Sequence, residues 1–268
     1  MLVVIKGAGD LASGIAVRLR RARFQVVMTE LSMPTTIRRT VSFSQVLTEG
    51  TGAATVEGME AFLAPSVDGA GAILAEGRIA VLVDPDAACV AELCPDVVVD
   101  AILAKENLGT QITDAPVVVA VGPGFTAGTD CHAVIETCRG HDLGRVILYG
   151  GAAQNTGVPG EVGGQTGKRV LRAPCAGVFR QALEIGARVT TGDVIGRVGD
   201  VPLVSELDGI LRGVLADGMP VVSGMKCGDV DPRAVSWHCQ TISDKARAVG
   251  GGVLEAILQL YPGPITLR

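Results

Sequence analysis

Apolar and polar positions alternate regularly between residue 1 and residue 30. Residues 2–5 form an apolar run rich in β-branched side chains, and the turn GAGD follows at 7–10. Leu11, Ile15 and Leu19 then recur at intervals of four, which places them on one face of a helix over residues 11–21. A second apolar run at 24–29 ends at Glu30. This pattern predicts a strand, a helix and a second strand.

The alternation of strand and helix continues through the N-terminal half. Near-continuous Val and Ile runs predict buried strands at 79–83, 97–102 and 117–121, as in a parallel sheet. Helices are predicted over 58–63 and 87–93. Ligands of open α/β sheets bind beyond the carboxyl ends of the strands. The residues that this rule selects are Gly7, Gly9, Asp10, Glu30, Asp84, Asp100, Lys105 and the loop 122–128.

A repeat of 32 residues marks the C-terminal half. Residues 173–192 align with residues 205–224, and glycines such as Gly177 and Gly209 coincide. Each copy has the pattern of strand, turn and strand, so the pair predicts one small β domain with pseudo-two-fold symmetry. The glycine-rich segment 150–167 is the predicted linker.

Residues 242–260 have helical spacing, and the three glycines at 250–252 suggest a break, close packing or an approach to a ligand. The predicted fold class is α/β. A Rossmann-like, mostly parallel sheet covers residues 1–165, and a smaller all-β barrel-sandwich domain of the biotinyl/lipoyl type covers 166–235. Residues 236–268 contain a C-terminal helix that packs on the first domain.

Composition excludes several classes of protein. The chain has 268 residues, 48% of them hydrophobic and 19% charged, with a formal net charge of −5. This excludes disorder and argues against nucleic-acid binding, which requires a basic surface. No apolar run approaches the roughly 20 residues of a spanning helix, and the N-terminal residues lack an export signal. Seven cysteines without a CxxC motif indicate reduced thiols, so a cytoplasmic protein is expected, with a homo-oligomer as one alternative.

The glycine turn has the spacing of a dinucleotide-binding motif. Gly7, Gly9 and Ala12 fit G-x-G-x-x-(G/A), in which backbone approaches a phosphate at the helix N-terminus. Glu30 follows about 20 residues later, where an acidic residue binds a ribose hydroxyl. Lys6 and Asp10 depart from the pattern, since the carboxylate of Asp10 would repel a pyrophosphate. The alternative is a glycine turn that only packs the helix on the sheet, with Asp10 capping the helix.

Further candidates lie outside the turn. Arg38 and Arg39 could bind a phosphate or carboxylate, although adjacent arginines in a loop are more often solvated. Gly122 and Gly124 begin a loop that would close the crevice.

A polar cluster follows at 130–141. If 130–138 is helical, His132 and Glu136 share a face; a zinc site with Cys131 and His141 lacks supporting spacing, so no metal is predicted. Whether Cys131 or Cys138 handles sulfur or selenium stays open, with small core residues as the alternative.

The C-terminal repeat resembles the biotinyl/lipoyl carrier domain in its AP-x-x-G and G-D elements. Carriers hold their acceptor lysine in the hairpin between the two halves, which here is residues 199–202 and contains no lysine. The resemblance therefore implies a carrier-like fold to which neither lipoyl nor biotin is attached. The charged residues Lys226, Asp229, Asp231 and Arg233 are expected to form local ion pairs.

Four ordered motifs resemble one family along nearly the whole chain. VIKGAGDLASG, MTELSMPTTIRRTVSF, the segment from GPGFTAGTD to RGHDLGRVI, and MKCGDVDPR are similar to YqeB-type accessory proteins of selenium-dependent molybdenum hydroxylase systems. The first domain is also similar to that of xanthine dehydrogenase accessory proteins. The resemblance implies a maturation role, molybdopterin or its dinucleotide as cofactor, and a client hydroxylase or other maturation factors as partners. It carries over no catalytic residue.

Three functions follow from these observations. The leading one is a maturation factor that binds a nucleotide-bearing cofactor, with phosphate at Gly7 and Gly9, ribose at Glu30, and an anionic end at Arg38 or Arg39. The second is an NAD(P)-dependent oxidoreductase that uses a histidine for acid–base chemistry, with His132 and His141 as candidates. The third is a non-enzymatic assembly scaffold whose β domain supplies the interface.

Overall fold

A computed structural model describes residues 1–48, 50–158 and 160–263. The chain forms two compact units. The first contains Met1–Pro34, Ser42–Thr156 and the chain from Ile242 onwards, and the second contains Thr35–Val41 and Gly157–Thr241. The last five residues of the predicted segment 236–268 lie outside the described residues.

The first unit is built on one sheet of mixed direction. Its strands are β1 (Leu2–Lys6), β2 (Gln25–Glu30), β3 (Ala53–Val56), β4 (Met59–Leu63), β5 (Ile79–Val83), β6 (Val97–Asp100), β7 (Val117–Val121), β8 (Ala133–Ile135) and β9 (Val146–Ile147). Their order is β3-β4-β5-β2-β1-β6-β7-β8-β9. All neighbours pair in parallel except the two outermost pairs, β3 with β4 and β8 with β9. The predicted α/β class with a mostly parallel sheet is confirmed.

Helices cover this sheet because its strands are apolar on both faces. The helices of the first unit are α1 (Asp10–Arg21), α2 (Val67–Ala75), α3 (Cys89–Leu93) and α5 (Asp244–Leu260). Alternate strand residues such as Val4, Val27 and Val98 form one core with Ala70 of α2 and Cys89 of α3. On the opposite face, α1 contacts β1 and β2, and α5 contacts β7 and β8. The sheet is therefore buried between two helical layers.

One predicted helix is wrong, and the helical condition set for a second segment is not met. The segment 58–63 contains β4, because Glu57 and Gly58 both have positive φ, of 45° and 80°, and form a tight turn between β3 and β4. The segment 130–138 contains β8, which pairs with β7, so the condition under which His132 and Glu136 share a helical face is not met. In addition, α2 was not predicted; it begins after Ser66, whose hydroxyl accepts a hydrogen bond from the Gly69 amide.

The C-terminal helix is confirmed as α5, and it runs without a break through its three glycines. It begins after Ser243, whose hydroxyl accepts a hydrogen bond from the Ala246 amide. A Cβ built on Gly14 of α1 would lie 2.7 Å from the Cβ of Ala246, and one built on Gly250 would lie 3.1 Å from the Gly14 carbonyl oxygen. Small residues thus allow α1 and α5 to pack closely, which was one of the three interpretations of the glycines.

The second unit follows the 32-residue repeat. Its strands are β10 (Val170–Arg172), β11 (Gly177–Gln181), β12 (Arg188–Val189), β13 (Val194–Val198), β14 (Val201–Val204), β15 (Gly209–Val214), β16 (Pro220–Val221) and β17 (Lys226–Asp231), and the short helix α4 (Trp237–Gln240) follows them. One sheet has the order β10-β17-β15-β12 and the other β14-β13-β11-β16. The 32-residue offset extends beyond the aligned segments and relates β10, β11, β12 and β13 to β14, β15, β16 and β17. Each sheet therefore takes two strands from each set of four, and the repeat relates one sheet to the other.

Buried ion pairs stabilise the first of these sheets. Asp229 accepts hydrogen bonds from the guanidinium groups of Arg169 and Arg212. Asp231 is paired with Arg212 at 3.1 Å and with Arg233 at 2.6 Å. The expectation that Asp229, Asp231 and Arg233 form local ion pairs is confirmed.

Candidate functional site

The sheet of the first unit changes direction of winding between β1 and β6. From β1 the chain proceeds to β2 on one side, whereas β6 is followed by β7 on the other side. Such a switch point leaves a crevice beyond the carboxyl ends of the two central strands. Gly7 follows β1, and Asp100 is the last residue of β6. The predicted glycine turn therefore lies at the switch point.

The turn after β1 leads directly into α1. Gly7 has a φ of 95°, and a Cβ on it would lie 3.0 Å from the Ala101 carbonyl oxygen, so glycine is required here. The N-cap of α1 is Gly9, which supplies no side-chain hydrogen bond to the first turn. Ala12 is buried in this turn. Uncapped N–H groups at a helix start fit an anion such as a phosphate.

Glu30 connects the end of β2 to the glycine turn. Its Oε2 accepts a hydrogen bond of 2.9 Å from the Ala8 amide, and its Oε1 accepts one of 2.8 Å from the Leu31 amide. Burial raises the pKa of Glu30, and these two hydrogen bonds act against that rise. The carboxylate has further acceptor positions, so it can still bind a hydroxyl group.

Lys6, which departed from the motif, belongs to a buried polar network. Its ammonium donates to the Thr110 hydroxyl at 2.9 Å and is 3.3 Å from a carboxylate oxygen of Asp114. Thr110 in turn donates to Asp100 at 2.6 Å. The ends of β1 and β6 are thereby joined to the loop at 101–116, which gives Lys6 a structural explanation.

Gly122 and Gly124 are explained by packing. Gly122 has a φ of 83°, and its Cβ would lie 2.9 Å from the Thr137 hydroxyl oxygen. Gly124 has a φ of 108°, and its Cβ would lie 2.7 Å from backbone atoms of Lys105 and Glu106. Protein atoms thus occupy the space that the predicted cofactor contact would need, although the loops after β6 and β7 do meet beside the crevice.

Arg38 and Arg39 belong to a different unit from the glycine turn. They belong to the second unit, where both are buried rather than solvated. Arg38 donates to the carbonyl oxygens of His238 and Thr241, and Arg39 donates to the carbonyl oxygen of Val214 and to the Gln181 side chain. These bonds account for the two arginines without a ligand.

The histidines and cysteines of the polar cluster separate into internal and exposed groups. His132 accepts the Val118 amide through Nδ1 at 2.9 Å, whereas His141 is exposed. Cys131 is buried, and burial together with the charge of Asp130 raises its pKa to about 12. Cys138 is exposed. The structure places no group of three or more His, Cys, Asp or Glu side chains in an arrangement suited to a metal, as far as the described residues are concerned.

Two polar candidates remain, Asp84 and Lys105. Asp84 has hydrogen-bond partners within the fold, and Lys105 has a left-handed backbone conformation. Asp84 caps α3 by accepting hydrogen bonds from the Ala88 and Cys89 amides. Lys105 is exposed and has a positive φ of 71°.

Sequence reasoning missed two kinds of residue at the carboxyl edge of the sheet in the first unit. Exposed apolar side chains lie at the carboxyl ends of three strands of this sheet: Val83 ends β5, Leu31 follows β2, and Ile102 follows β6, with exposed fractions of 47%, 45% and 39%. The second is Lys245, in the first turn of α5: burial and the charge of Arg139 lower its pKa, and the charge of Asp10 acts in the opposite direction. Its distance from Asp10 along the sequence hid the relationship, whereas apolar residues directly after each strand were a visible signal.

Comparison with known proteins identifies one close relative. No protein-family profile matches the chain. The chain is 54% identical over 259 residues to the uncharacterized protein YqeB of Escherichia coli strain K12, an alignment that covers 97% of this chain and 48% of YqeB. The chain thus spans about half the length of the curated relative that it matches.

Solved structures are only distantly similar. The product-bound ectoine utilization protein EutE (DoeB) of Ruegeria pomeroyi is 20% identical, over 31% of this chain and 27% of that one, with a TM-score of 0.23. A succinylglutamate desuccinylase/aspartoacylase of Rhodobacter sphaeroides is 16% identical over 84% and 86% of the chains, with a TM-score of 0.25. An aspartoacylase family protein of Mesorhizobium loti is 12% identical over 85% and 84%, with a TM-score of 0.28. Similarity at this level assigns neither fold nor activity.

Within the described residues, none of the helices combines the length and the apolar character needed to span a bilayer.

Proposed function

Since the chain is a homologue of YqeB over nearly its whole length, we propose that it binds a nucleotide-bearing cofactor at the carboxyl edge of its parallel sheet. We further propose that it acts in this way as a maturation factor of molybdenum hydroxylases. The second part rests on the four motifs that resemble YqeB-type accessory proteins. The first part rests on the geometry of the first unit.

Strand order supports a Rossmann-like interpretation of the first unit. The six strands β5-β2-β1-β6-β7-β8 follow the order 3-2-1-4-5-6 of doubly wound dinucleotide-binding sheets. The unit departs from that pattern where loops, rather than helices, connect β6 to β7 and β7 to β8. These two departures lie on the side of the sheet away from β2, whereas a third, the hairpin β3–β4 inserted between β2 and β5, lies on the other side. The half that carries the glycine turn and Glu30 retains the usual strand–helix–strand unit.

The order of groups along this edge is the observation that carries the proposal. Apolar Val83 and Leu31 come first, then the Glu30 carboxylate, then the N-terminus of α1, because β5, β2 and β1 are neighbours. This is the order of base, ribose and phosphate in a nucleotide. Exposed apolar side chains suit a flat aromatic ring, a carboxylate suits ribose hydroxyls, and helix N–H groups suit phosphate.

The candidate ligands are molybdopterin, its dinucleotide form, and NAD(P). The dinucleotide form of molybdopterin is preferred because of the motif resemblance. The oxidoreductase alternative requires an acid–base histidine, and His132 already accepts the Val118 amide through Nδ1. His141 remains the candidate for that alternative.

The second unit is proposed to dock the client enzyme. Two four-stranded sheets that exchange strands support its barrel-sandwich interpretation. One sheet, β14-β13-β11-β16, presents Val178, Val194 and Val204 to solvent. We also propose a cytoplasmic location. Reduced cysteines are typical of that compartment, and the proposed molybdenum hydroxylase client agrees with it.

Binding is tested by thermal shift and by calorimetric titration of the purified chain with NAD, NADP, CTP, GTP, molybdopterin and its dinucleotide form. A ligand of the native state raises the melting temperature. The proposal predicts stabilisation by at least one nucleotide-bearing ligand, and about tenfold weaker binding for Leu31→Gln, because the base loses an apolar contact. Val222→Gln, at an exposed valine of the second unit, is the matched control and is expected to bind as the wild type does.

Two results would replace the proposal. Stabilisation by NAD or NADP alone, together with hydride transfer to a substrate, would favour the oxidoreductase. If none of the ligands stabilises the chain, the scaffold is the better interpretation.

A further inference from the structure

Four exposed arginines lie at the C-terminal end of α1 and beside the first turn of α5. Arg18 and Arg21 belong to α1, and Arg23 lies in the turn between α1 and β2. Arg247 belongs to α5. All four are in the first unit, as is Glu57 in the turn between β3 and β4. We call these five residues the arginine surface.

Contacts hold three of the arginines around one carboxylate. The Arg18 guanidinium donates to the main-chain oxygen of Arg247 at 3.3 Å, which places it beside the first turn of α5. Arg21 and Arg247 both pair with Glu57, at 3.1 and 2.5 Å. The Glu57 side chain is only 11% exposed, whereas those of Arg21 and Arg247 are 47% and 46% exposed. The carboxylate is therefore covered by guanidinium groups that reach solvent.

Positive charge exceeds negative charge on the arginine surface. Burial alone would raise the pKa of Glu57, but the Ile242 amide and the two paired arginines outweigh burial and lower it, so the carboxylate is ionised at neutral pH. Across the described parts of the chain, Arg18 and Arg23 form no ion pair. Four guanidinium groups and one carboxylate leave three positive charges uncompensated, on a chain whose formal net charge is −5.

Helix dipoles explain only part of this surface. Arg18 and Arg21 lie in the last turn of α1, where a cation is favourable. Arg247 lies in the first turn of α5, where the positive end of the dipole disfavours a cation, and Glu57, which offsets this cost, is shared with Arg21. Arg23 lies beyond the end of α1. Negative charge from outside the chain would compensate the surplus.

The chemistry of the arginine surface favours a protein partner. The ionised Glu57 at its centre opposes a continuous phosphate backbone. The segments 18–23, 55–58 and 243–248 contain none of the exposed large apolar side chains of the described residues. They therefore offer neither an aromatic ring for base stacking nor an apolar group for insertion into a bilayer. Separate carboxylates, by contrast, match the fork of a guanidinium group.

We propose that the arginine surface docks an acidic segment of a partner protein, whose Asp and Glu carboxylates pair with Arg18 and Arg23 and with the donors of Arg21 and Arg247 that Glu57 does not occupy. A guanidinium group has five N–H donors, so the pairs with Glu57 leave others available. The glycine turn lies at the opposite end of α1, so this inference does not depend on the proposed cofactor.

The test measures binding of a fluorescently labelled peptide, in which glutamate alternates with serine, by anisotropy at low ionic strength. A peptide in which glutamine replaces glutamate is the uncharged reference. We expect the wild type to bind the acidic peptide and the reference at least about tenfold more weakly. Arg18→Gln/Arg23→Gln should bind the acidic peptide about tenfold more weakly than the wild type, because two guanidinium–carboxylate pairs are lost.

The matched control is Arg172→Gln/Arg197→Gln in the second unit. Both arginines are exposed, and each donates to a main-chain oxygen, that of Gly224 for Arg172 and that of Asp200 for Arg197. The control removes the same charge from the chain as the test variant does. It should bind the acidic peptide as the wild type does, whereas a general effect of net charge would weaken both variants equally.

Salt and folding provide two further readouts. Added salt should weaken binding of the acidic peptide to the wild type more steeply than to Arg18→Gln/Arg23→Gln, because fewer charge pairs remain to be screened. The melting temperature of each variant reports whether it is folded. If the double variant does not fold, Arg23→Gln alone is used, since the Arg23 side chain has no partner within the described residues; it should bind more weakly than the wild type.

Three results would overturn the proposal. The first is failure of the wild type to prefer the acidic peptide over the reference. The second is an equal loss of affinity in the test and control variants. The third is tighter binding, dependent on Arg18 and Arg23, to a single-stranded DNA oligonucleotide or to vesicles of phosphatidylserine and phosphatidylcholine in equal parts, which would replace the protein partner with a nucleic acid or a membrane.

Discussion

The Ala8 amide donates a hydrogen bond of 2.9 Å to the carboxylate of Glu30. This bond joins the turn after β1 to the end of β2, the two strands that pair in parallel up to Lys6 and Thr29. Glu30 therefore supports the shape of the glycine turn in addition to its proposed contact with ribose. The amide of Ala8 is consequently not a phosphate donor, and that role falls to the N–H groups of the first turn of α1.

Removal of the Glu30 carboxylate should destabilise the first unit. Glu30→Ala leaves the buried amide of Ala8 without its acceptor, and we expect a loss of about 1–3 kcal/mol in the free energy of unfolding. Glu30→Gln keeps one acceptor oxygen and should lose less. Urea unfolding followed by circular dichroism measures both. If Glu30→Ala is as stable as the wild type, the bond has no structural role.

Adjacent glycines of α5 should respond in opposite directions to alanine. A Cβ on Gly252 would overlap the carbonyl oxygen of Gly144, so Gly252→Ala should destabilise the protein by about 1–3 kcal/mol. At Gly251 nothing lies within 4 Å, and alanine there should stabilise the helix by up to about 1 kcal/mol. The two melting temperatures should fall on opposite sides of the wild type. Equal shifts would contradict the close packing of α5 against the loop before β9.

Asp231 should contribute stability that depends on pH. Burial alone would raise its pKa, but hydrogen bonds from Arg233 and the charges of Arg212 and Arg233 outweigh burial and lower the pKa to about 2. Because the pKa is lower in the folded state, the ionised carboxylate stabilises the fold above pH 3.8, and this contribution is lost as the pH falls toward 2.

The corresponding variant is Asp231→Asn. It removes one of the two carboxylates that pair with the buried Arg212, which keeps Asp229, and should lower the free energy of unfolding by about 1–3 kcal/mol at pH 7. Urea titrations between pH 7 and pH 2.5 should show this difference narrowing below pH 3.8. A difference that stays constant over the whole range would show that Asp231 does not act through its charge.

Cysteine reactivity should follow burial. Cys94 and Cys138 are exposed, whereas burial raises the pKa of Cys89 and Cys131 to about 12. We expect an aromatic disulfide reagent at pH 8 to label Cys94 and Cys138 in the native protein and to leave Cys131 unmodified. Peptide mass spectrometry locates the labels. Rapid labelling of Cys131 would contradict its burial and restore it as a candidate for sulfur or selenium chemistry.

Sequence patterns predicted the elements whose signal is local. The strands at 79–83 and 117–121 were predicted at their observed bounds, because each is a continuous apolar run. The 32-residue repeat predicted the strands of the second unit, since β11 and β15, or β12 and β16, differ by that offset. The strand β4 was mistaken for a helix because its residues suit either state, and its pairing with β3 and β5 decided the outcome.

The candidate site was predicted only in part. The glycine turn and Glu30 were found because their spacing is a local motif. Arg38 and Arg39 lie close to that motif in sequence, yet the chain crosses into the second unit at Thr35, where main-chain carbonyl groups bind them. The position of the first turn of α5 beside α1 could not be found from local pattern, because the packing of the two helices at Gly14 and Ala246 decides it.

The most direct test of the proposed cofactor site is a crystal structure of the chain with the nucleotide-bearing ligand that stabilises it most. The account predicts ligand density beside the start of α1, with phosphate at the first-turn N–H groups, a ribose hydroxyl at Glu30, and the base against Leu31. Density for the ligand at any other place, with the glycine turn contacting only solvent, would contradict it.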